Sequence, residues 1–354
     1  MRVVIVGASG NAGTALVRRL RSQNGHEIVG VARRLPPPDG LEWHSCDIGA
    51  PGAATTLAGI FAGADAVVHL AWQIQPSHDQ KQLYRTNVLG SQAVAEAAAR
   101  AGTPALVVAS SVGAYAPGPK RSYVTESWPT TGVIESSYSR HKVLAERMLD
   151  TLEAKHPAMR VVRLRPGLIF QRESGTEIGR YFAGPLLPAR LLKPQRIPVL
   201  PANPALRVQA VHADDVADAY LRVLESDVRG AFNVASNPVL DTAVAAEIFH
   251  SIRIPVPGVL LHAAASLSWR LRLQPIDAGW VELGLKAPLM SCDRIAGELA
   301  WRPRHSSVDA LKELVGGMAD RAHTDSPPLS GAPDLPGRLG GLLHGRLPGE
   351  GNPY

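Results

Sequence analysis

The first twenty residues constrain the fold of this chain more than any other feature. Val3–Val6 is an unbroken apolar run of strand length, and it leads directly into three glycines at equal spacing, Gly7, Gly10 and Gly13. Apolar residues then recur at helical spacing over 12–20. A buried strand, a glycine-rich turn and a helix in this order predict the first unit of a parallel sheet. In such a unit the turn lets backbone N–H groups reach a phosphate, whose charge the helix N-terminus attracts.

Strand-like and helical segments keep alternating after this first unit. Further strands are predicted at Glu27–Ala32, Leu41–Cys46, Ala66–Ala71, Ala105–Ala109, Arg160–Leu164, Gln209–Val211 and Phe232–Val234, and helices at Lys81–Ala101, Ser137–Lys155 and Asp214–Glu225. This alternation is typical of βαβ units, in which parallel strands are joined by helices. It predicts an α/β fold: a Rossmann-type doubly wound parallel sheet with a smaller, mostly helical C-terminal substrate-binding region.

Changes in composition predict the domain boundaries. Many Pro, Gly and Leu residues interrupt the pattern after Phe170, and Gly or Pro makes up 13 of the 33 residues from Ala322 to Tyr354. The predicted units are a Rossmann domain at 1–170 completed by 207–240, a substrate-binding region at 171–206 and 241–320, and a disordered tail at 321–354. We expect no clear strand in 171–206 and mainly helices in 241–320.

Composition also limits the classes of protein that remain. Of the 354 residues 45% are hydrophobic and 19% are charged, which is the balance of a globular chain. The two cysteines, Cys46 and Cys292, make no disulfide framework and lack metal-site spacing, so we expect a reducing, cytoplasmic compartment. No signal peptide is recognised before Val3 and no apolar run reaches the roughly 18 residues of a membrane span. Stable membrane insertion is therefore not expected.

The net charge of +6 has two interpretations. Nucleic acid is one partner that attracts a basic protein, but the charges here are scattered and form no long basic block. Affinity for anionic small molecules such as dinucleotides explains the same bias. We expect a small-molecule ligand and no nucleic acid.

The end of the second predicted strand bears on the choice of dinucleotide. An acidic residue there would accept hydrogen bonds from the adenosine ribose, but Ala32 is followed by Arg33 and Arg34. An arginine is well suited to a ribose 2′-phosphate, which favours NADP(H) over NAD(H). Solvated loop arginines are the alternative, and Asp39 is close enough in sequence to fold back toward the ribose. Asp47 is either an acceptor for the adenine amino group or the cap of a turn.

A tyrosine and a lysine four residues apart supply the candidate chemistry. Tyr138 and Lys142 lie on one face of a predicted helix, and a nearby ammonium lowers the pKa of a phenol from its ordinary value of about 10. Ser110 and Ser111 follow the strand Ala105–Ala109, at the edge of a parallel sheet where ligands bind. The set is suited to acid–base work on a carbonyl, with one serine hydroxyl donating to the substrate oxygen.

These motifs together resemble the extended short-chain dehydrogenase/reductase family, the NAD(P)-dependent epimerase/dehydratase-like enzymes, over about residues 1–315. The supporting segments are Gly7 to Gly13, Val67–Ala71, Asn87–Gly90, Ser111 to Tyr115, Tyr138 to Lys142, Arg165–Gly167, Val211–Val216 and Leu299–Pro303. The resemblance implies a bound NAD(P) and a homodimer through the helices 81–101 and 138–155, although their Ala-rich faces equally suit packing on the sheet.

The resemblance also implies individual roles. Tyr138 would be the acid/base, Lys142 would tune Tyr138 and bind ribose, and Ser111 would polarise the substrate. The implied catalytic residues are thus Ser111, Tyr138 and Lys142, and the implied cofactor-binding residues are Gly7, Ser9, Gly10, Asn11, Ala12, Gly13, Arg33, Asp47, Ile48, Leu70, Ala71, Asn87, Ser110, Lys142 and Pro166. His212 and Asp215 are expected to hold the second domain in place.

Two departures from the family pattern restrict the reaction. Val112 and Gly113 stand where sugar-nucleotide 4,6-dehydratases have an Asp-Glu pair. Many sugar-nucleotide epimerases carry Arg-Asp just before the Ile/Val-His motif, where this chain has Arg207-Val208-Gln209-Ala210. The expected function is hydride transfer at a carbinol or ketone carbon, by an oxidoreductase or an epimerase. A non-catalytic NADP(H)-sensing or scaffold protein on the same fold is the alternative.

Other aromatic and histidine side chains are expected to be structural. His69 is predicted to be a buried strand residue, and His141 is predicted to face away from the site. Core packing is the preferred interpretation for three tryptophans, and lining of a pocket is the alternative. These tryptophans are Trp72, Trp269 and Trp280.

Overall fold

The fold centres on a seven-stranded parallel sheet. A computed structural model describes residues 1–183, 197–271 and 276–330. The strands are β1 Arg2–Val6, β2 Glu27–Ala32, β3 Glu42–Ser45, β4 Ala66–His69, β5 Ala105–Ala109, β6 Tyr123–Val124, β7 Arg160–Pro166, β8 Leu168–Phe170, β9 Val199–Ala202, β10 Arg207–Val208, β11 Ala210–His212, β12 Gly230–Val234, β13 Leu240–Asp241, β14 Ile252–Pro255 and β15 Leu289–Met290. The order in the sheet is β3-β2-β1-β4-β5-β7-β12, with every neighbouring pair parallel.

Helices join these strands and continue to the C-terminal region. They are α1 Asn11–Arg21, α2 Ala53–Phe61, α3 Gln80–Tyr84, α4 Gly90–Arg100, α5 Ser137–Lys155, α6 Gly175–Ile178, α7 Ala213–Leu224, α8 Thr242–Phe249, α9 Gly258–Arg270, α10 Ala278–Lys286, α11 Asp293–Glu298 and α12 Ser307–Asp320. A π-helical turn, Arg85–Leu89, joins α3 to α4. The predicted ends of the strands and helices in the Rossmann pattern lie within two residues of the observed ends.

Strand residues alternate between two cores because successive side chains point to opposite faces. Val3 and Ile5 of β1 pack with α1 and α7 on one face. Val4 and Val6 pack with α2, α4 and α5 on the other face. The predicted doubly wound Rossmann-type sheet is confirmed. Its strand order reverses between β1 and β4, and at such a point the loops diverge and leave a crevice for a ligand.

The C-terminal region is mostly helical but contains strands that the sequence pattern did not predict. β9 and β14 pair in parallel, from Val199 opposite Ile252 to Ala202 opposite Pro255. They fall in segments predicted to lack strands or to be helical, so those predictions are wrong there. Each strand is only four residues long, and its partner lies about 50 residues away, so the pairing leaves little local trace. Among the described residues, no helix is long and apolar enough to cross a lipid bilayer.

The start of the predicted disordered tail is ordered instead. Leu329 is fully buried, and the Ser326 hydroxyl donates to the Ser9 carbonyl oxygen at 2.6 Å. The high Gly and Pro content that predicted disorder is concentrated farther along, so residues 321–330 retain enough side chains to pack. The remainder of the predicted tail, 331–354, lies outside the described residues.

Candidate active site

The glycine-rich loop is folded tightly against the sheet. Gly7 has φ +92°, and a Cβ there would lie 2.5 Å from the backbone nitrogen of Ala71. A Cβ on Gly13 would lie 2.2 Å from the Gly7 carbonyl oxygen, so the close packing of α1 requires glycine. A Cβ on Gly10 would meet only that oxygen, at 3.5 Å, so the loop is open on this side.

The N-terminus of α1 fits a dinucleotide pyrophosphate. Gly10 precedes the helix, no side chain caps it, and no acidic residue occurs in its first turn. The first N–H groups of a helix have no intrahelical acceptor, so those of Asn11, Ala12 and Gly13 are suited to phosphate oxygens. The Asn11 side chain points elsewhere: its Nδ2 donates to the Ile169 carbonyl at 3.1 Å. Its Oδ1 accepts from Nε2 of Gln171 at 2.7 Å.

At the end of β2 the structure leaves arginines and no carboxylate. Arg33 and Arg34 are exposed directly after this strand. Asp39 has two side-chain partners: its Oδ1 accepts from Trp43 Nε1 at 2.9 Å, and its Oδ2 lies 3.1 Å from Arg21 Nη2. Both carboxylate oxygens of Asp39 therefore have side-chain partners, and its approach to the ribose stays the alternative.

Asp47 and Ile48 have structural partners after β3. Asp47 Oδ1 accepts from the Gly49 N–H at 3.0 Å, and its Oδ2 lies 3.4 Å from Arg85 Nη2. The interpretation of Asp47 as a turn cap is thus the one that the structure displays. Ile48 is buried, and a Cβ on Gly90 would lie 2.6 Å from its Cγ1.

Residues after β4 lie beside the glycine-rich loop. The N–H groups of Leu70 and Ala71 both donate to the Val6 carbonyl, at 2.8 and 2.9 Å. Asn87 holds Gln73, two residues after Ala71, by accepting from its N–H at 2.8 Å and donating to its carbonyl at 2.9 Å. Asn87 therefore orders this loop from the π-helical turn.

The candidate catalytic side chains meet where β5 ends and α5 begins. Ser111 Oγ accepts from the Gly113 N–H at 3.0 Å. A Cβ on Gly113 would lie 2.8 Å from Tyr138 Cε1, so the ring covers this glycine. Lys142 Nζ donates to the Ala109 carbonyl at 2.8 Å and lies 5.8 Å from the Tyr138 ring centroid. The structure thus brings Ser111, Tyr138 and Lys142 together.

The electrostatics of the pair differ from the sequence-based expectation. Burial raises the pKa of Tyr138 to about 12, and a hydrogen bond with Ser111 opposes that increase only in part. Burial lowers the pKa of Lys142 to about 7, while the charge of Glu146 opposes that decrease. The lowering of the Tyr138 pKa by Lys142 is not observed, because the ammonium lies 3.4 Å from the Trp72 ring centroid rather than at the phenol oxygen. The Tyr138 phenol is consequently protonated at neutral pH.

A small pocket opens beside Tyr138. Its lining residues are Gln73, Ile74, Gln75, Pro76, Leu83, Asn87, Ser137, Tyr138, His141 and Trp280. The prediction that His141 faces away is therefore wrong. Burial lowers the pKa of His141 to about 4, so its ring is neutral at physiological pH.

Two tryptophans flank the Tyr138 ring instead of filling the core. The Trp72 and Trp280 ring centroids lie 6.1 and 4.9 Å from that of Tyr138. Trp269 stacks on His78 at a centroid distance of 3.8 Å. The pocket interpretation describes Trp280, which lines the pocket, whereas Trp72 contacts Tyr138 without lining it. His69 is buried in β4 as predicted, and its Nε2 lies 2.9 Å from Ser91 Oγ.

Sequence reasoning missed a buried ionic cluster beneath these residues. Glu146, 2% exposed, accepts from Arg165 Nε at 2.8 Å and Nη2 at 2.9 Å, and Arg163 Nη1 lies 3.2 Å away. Burial raises the pKa of Glu146, but the bonds from Arg165 outweigh burial and hold it below its usual value. The Ser110 hydroxyl also donates to Glu146. The available signal was the spacing of Tyr138, Lys142 and Glu146, four residues apart along one helix face.

The last predicted site residues lie at the start of α7 and at the end of β7. Asp215 accepts from the N–H groups of Arg304 and His305, at 3.0 and 2.9 Å. His212 Nε2 lies 3.1 Å from Glu313 Oε2, so both predicted anchors do contact the C-terminal region. Pro166 ends β7 opposite Val234 of β12.

This crevice has the form found in short-chain dehydrogenases and reductases, which bind a nicotinamide dinucleotide across a Rossmann sheet. The model of the NAD dependent epimerase/dehydratase family matches residues 3–235, more than half of the chain. The chain belongs to this family, and the predicted family resemblance is confirmed.

Some known proteins are similar to the chain in sequence, and others are similar to it in fold. An uncharacterized protein of Mycobacterium tuberculosis is 28% identical over 320 residues, which cover 89% of this chain but only 30% of that protein. UDP-glucose 4-epimerase of Thermotoga maritima has a TM-score of 0.69 at 18% identity, covering 91% and 99% of the two chains. DesIV, a dTDP-glucose 4,6-dehydratase of Streptomyces venezuelae, has a TM-score of 0.68 at 19% identity, covering 93% and 100%. At these identities the two structures establish the shared fold alone.

Proposed function

We propose that the protein is an NAD(P)-dependent oxidoreductase or epimerase of the extended short-chain type, acting on a small molecule at a carbinol or ketone carbon. The observation that carries this proposal is the meeting of Ser111, Tyr138 and Lys142 at the carboxyl end of β5. A purely sensing or scaffold protein has no need of all three side chains, which argues against that alternative.

The roles of the residues follow from their protonation and contacts. NAD(P), when bound, supplies or accepts the hydride. Tyr138, with a pKa near 12, donates a proton to the substrate oxygen when a ketone is reduced. Ser111 accepts from the Gly113 N–H, and its own O–H is suited to donate to the same oxygen. Lys142, fixed by the Ala109 carbonyl, is suited to hold the nicotinamide ribose. Trp72 and Trp280 reduce the access of water to Tyr138.

Product analysis tests the proposal and separates its two forms. Purified protein is incubated with a panel of ketones, steroids and sugar nucleotides, in separate reactions with the reduced dinucleotides, NADPH or NADH, and with the oxidised ones, NADP+ or NAD+. A reductase consumes one dinucleotide per product, whereas an epimerase inverts a carbinol without net consumption. Dinucleotide binding with no turnover of any substrate in the panel would favour the sensing alternative.

We expect NADP(H) to bind more tightly than NAD(H). Arg33 directly follows β2, the last residue of that strand is Ala32 rather than an acidic residue, and an arginine makes a charge-assisted contact with a 2′-phosphate. Arg33→Ala should weaken NADP(H) by about tenfold and leave NAD(H) unchanged, as measured by titration calorimetry with both cofactors. Equal or tighter binding of NAD(H) by the wild type, or an unchanged affinity for NADP(H) in the variant, would contradict this.

We expect no 4,6-dehydratase activity. Elimination of water needs an acid and a base beside the sugar, but position 112 is valine and position 113 is glycine. An acidic side chain at 113 would collide with the Tyr138 ring, since even a Cβ lies 2.8 Å from its Cε1. Sugar nucleotides incubated with the protein and NAD should therefore give no 4-keto-6-deoxy product by mass spectrometry. An authentic dehydratase serves as the positive control, and detection of that product with this protein would refute the expectation.

Assembly and compartment are further parts of the proposal. Leu89, 46% exposed at the end of the π-helical turn before α4, and Leu144, 37% exposed on α5, offer apolar surface on this helical layer. This surface supports a homodimer packed through those helices. Cys46 and Cys292 are both free thiols, which supports a reducing, cytoplasmic compartment.

A further inference from the structure

The segment after α12, residues 322–330, returns to the glycine-rich loop, and we call it the C-terminal strap. It begins on the substrate-binding region, where Thr176 Oγ1 donates to the Ala322 carbonyl at 2.7 Å. Arg180 Nη2 donates to the Pro328 carbonyl at 3.2 Å. Between these two contacts, Ser326 Oγ donates to the Ser9 carbonyl at 2.6 Å. The strap thus connects the glycine-rich loop to the substrate-binding region. Ser9 and Ser326 are 317 residues apart in the sequence.

The strap has its own internal structure and a buried anchor. Leu329 is 0% exposed, its N–H donates to the Ser326 carbonyl at 2.9 Å, and its carbonyl accepts from the Thr324 N–H at 3.1 Å. A fully buried leucine contributes enough apolar burial to hold a short segment in place. Ser326 is 8% exposed, so its hydrogen bond to Ser9 is shielded from water.

The hydrogen bond between Ser326 and Ser9 matters because of where Ser9 lies. Ser9 lies between Gly7 and Gly10, inside the loop proposed to hold the pyrophosphate. The strap donates a hydrogen bond to a carbonyl of this loop, whereas a phosphate accepts hydrogen bonds from N–H groups. The strap and a phosphate therefore do not compete for the same backbone groups. Asp325, an acidic residue of the strap, is exposed rather than buried against the loop.

We propose that the C-terminal strap retains the bound dinucleotide, with Ser326 as a positioning residue that fixes the phosphate loop through the Ser9 carbonyl. This inference rests on the proposed binding of NAD(P) at that loop. A loop held in its binding conformation loses less conformational freedom on binding, and it opens less often to release its ligand. The strap therefore slows dissociation of the dinucleotide.

Dissociation rates in full-length variants test the strap. NADPH or NADH is released from the protein by competition, and its fluorescence is followed by stopped flow. Ser326→Ala should accelerate release by about fivefold, the effect of one lost hydrogen bond. Leu329→Ala, which removes the buried anchor, should accelerate it by about tenfold or more. Ser330→Ala is the matched control, because its hydroxyl donates within the strap, to the Pro327 carbonyl at 3.1 Å, and release should stay within about twofold of wild type.

The outcomes separate this inference from the proposed function. Thermal melts of each variant exclude global unfolding, and Ser326→Ala keeps the test valid if Leu329→Ala does not fold. If Ser326→Ala releases the dinucleotide at the wild-type rate or more slowly, the proposed role of the strap is wrong, and the proposed function is unaffected. A wild-type protein that binds neither NADH nor NADPH overturns both.

Discussion

Tyr138→Phe should lower kcat by about 10²–10⁴-fold while leaving dinucleotide affinity nearly unchanged. The phenol hydrogen-bonds with Ser111, and its pKa near 12 keeps it protonated through the neutral range. Phenylalanine keeps the ring between Trp72 and Trp280 and removes only the hydroxyl. Steady-state kinetics on a confirmed substrate and calorimetric titration of the dinucleotide measure the two quantities.

Tyr123→Phe is the control for this substitution. Tyr123 is 53% exposed and lies in β6, outside the group of residues that line the pocket. Its variant should keep the wild-type kcat. If Tyr138→Phe also kept that value, Tyr138 would not be the acid.

Glu146→Gln should lower the free energy of unfolding by about 3 kcal/mol, because it leaves the Arg165 guanidinium buried without its partner charge. Arg165 is 4% exposed, and it donates to both oxygens of Glu146, at 2.8 and 2.9 Å. Glutamine has nearly the same shape, so the loss reports charge and hydrogen bonding rather than a cavity. Urea denaturation at neutral pH, followed by circular dichroism, gives the free energy.

The matched control is Asp150→Asn, on the same helix. Asp150 also pairs with Arg163, at 2.5 Å, but its side chain is 63% exposed. Solvent screens such a pair, so the loss should be below about 1 kcal/mol. Equal losses of unfolding free energy in the two variants would show that burial of Glu146 does not determine how much it contributes to stability.

Local patterns in the sequence determined the framework of the molecule. Val3–Val6 with the three following glycines required a strand, a tight turn and a closely packed helix, and all three are present. The spacing of Tyr138 and Lys142 placed both residues on one helix face. These features were predictable because strand alternation, helical periodicity and the steric freedom of glycine act over a few residues.

Contacts between distant segments were decided only in the tertiary structure. The charged partners of Glu146 come from β7, the tryptophans around Tyr138 come from the β4–α3 loop and α10, and the Ser9 contact comes from the C-terminal strap. The pKa of Tyr138 also departs from the sequence expectation, because burial of the phenol outweighs the effect of a lysine four residues away. Burial and long-range pairing depend on how whole elements pack, and no short stretch of sequence specifies that packing.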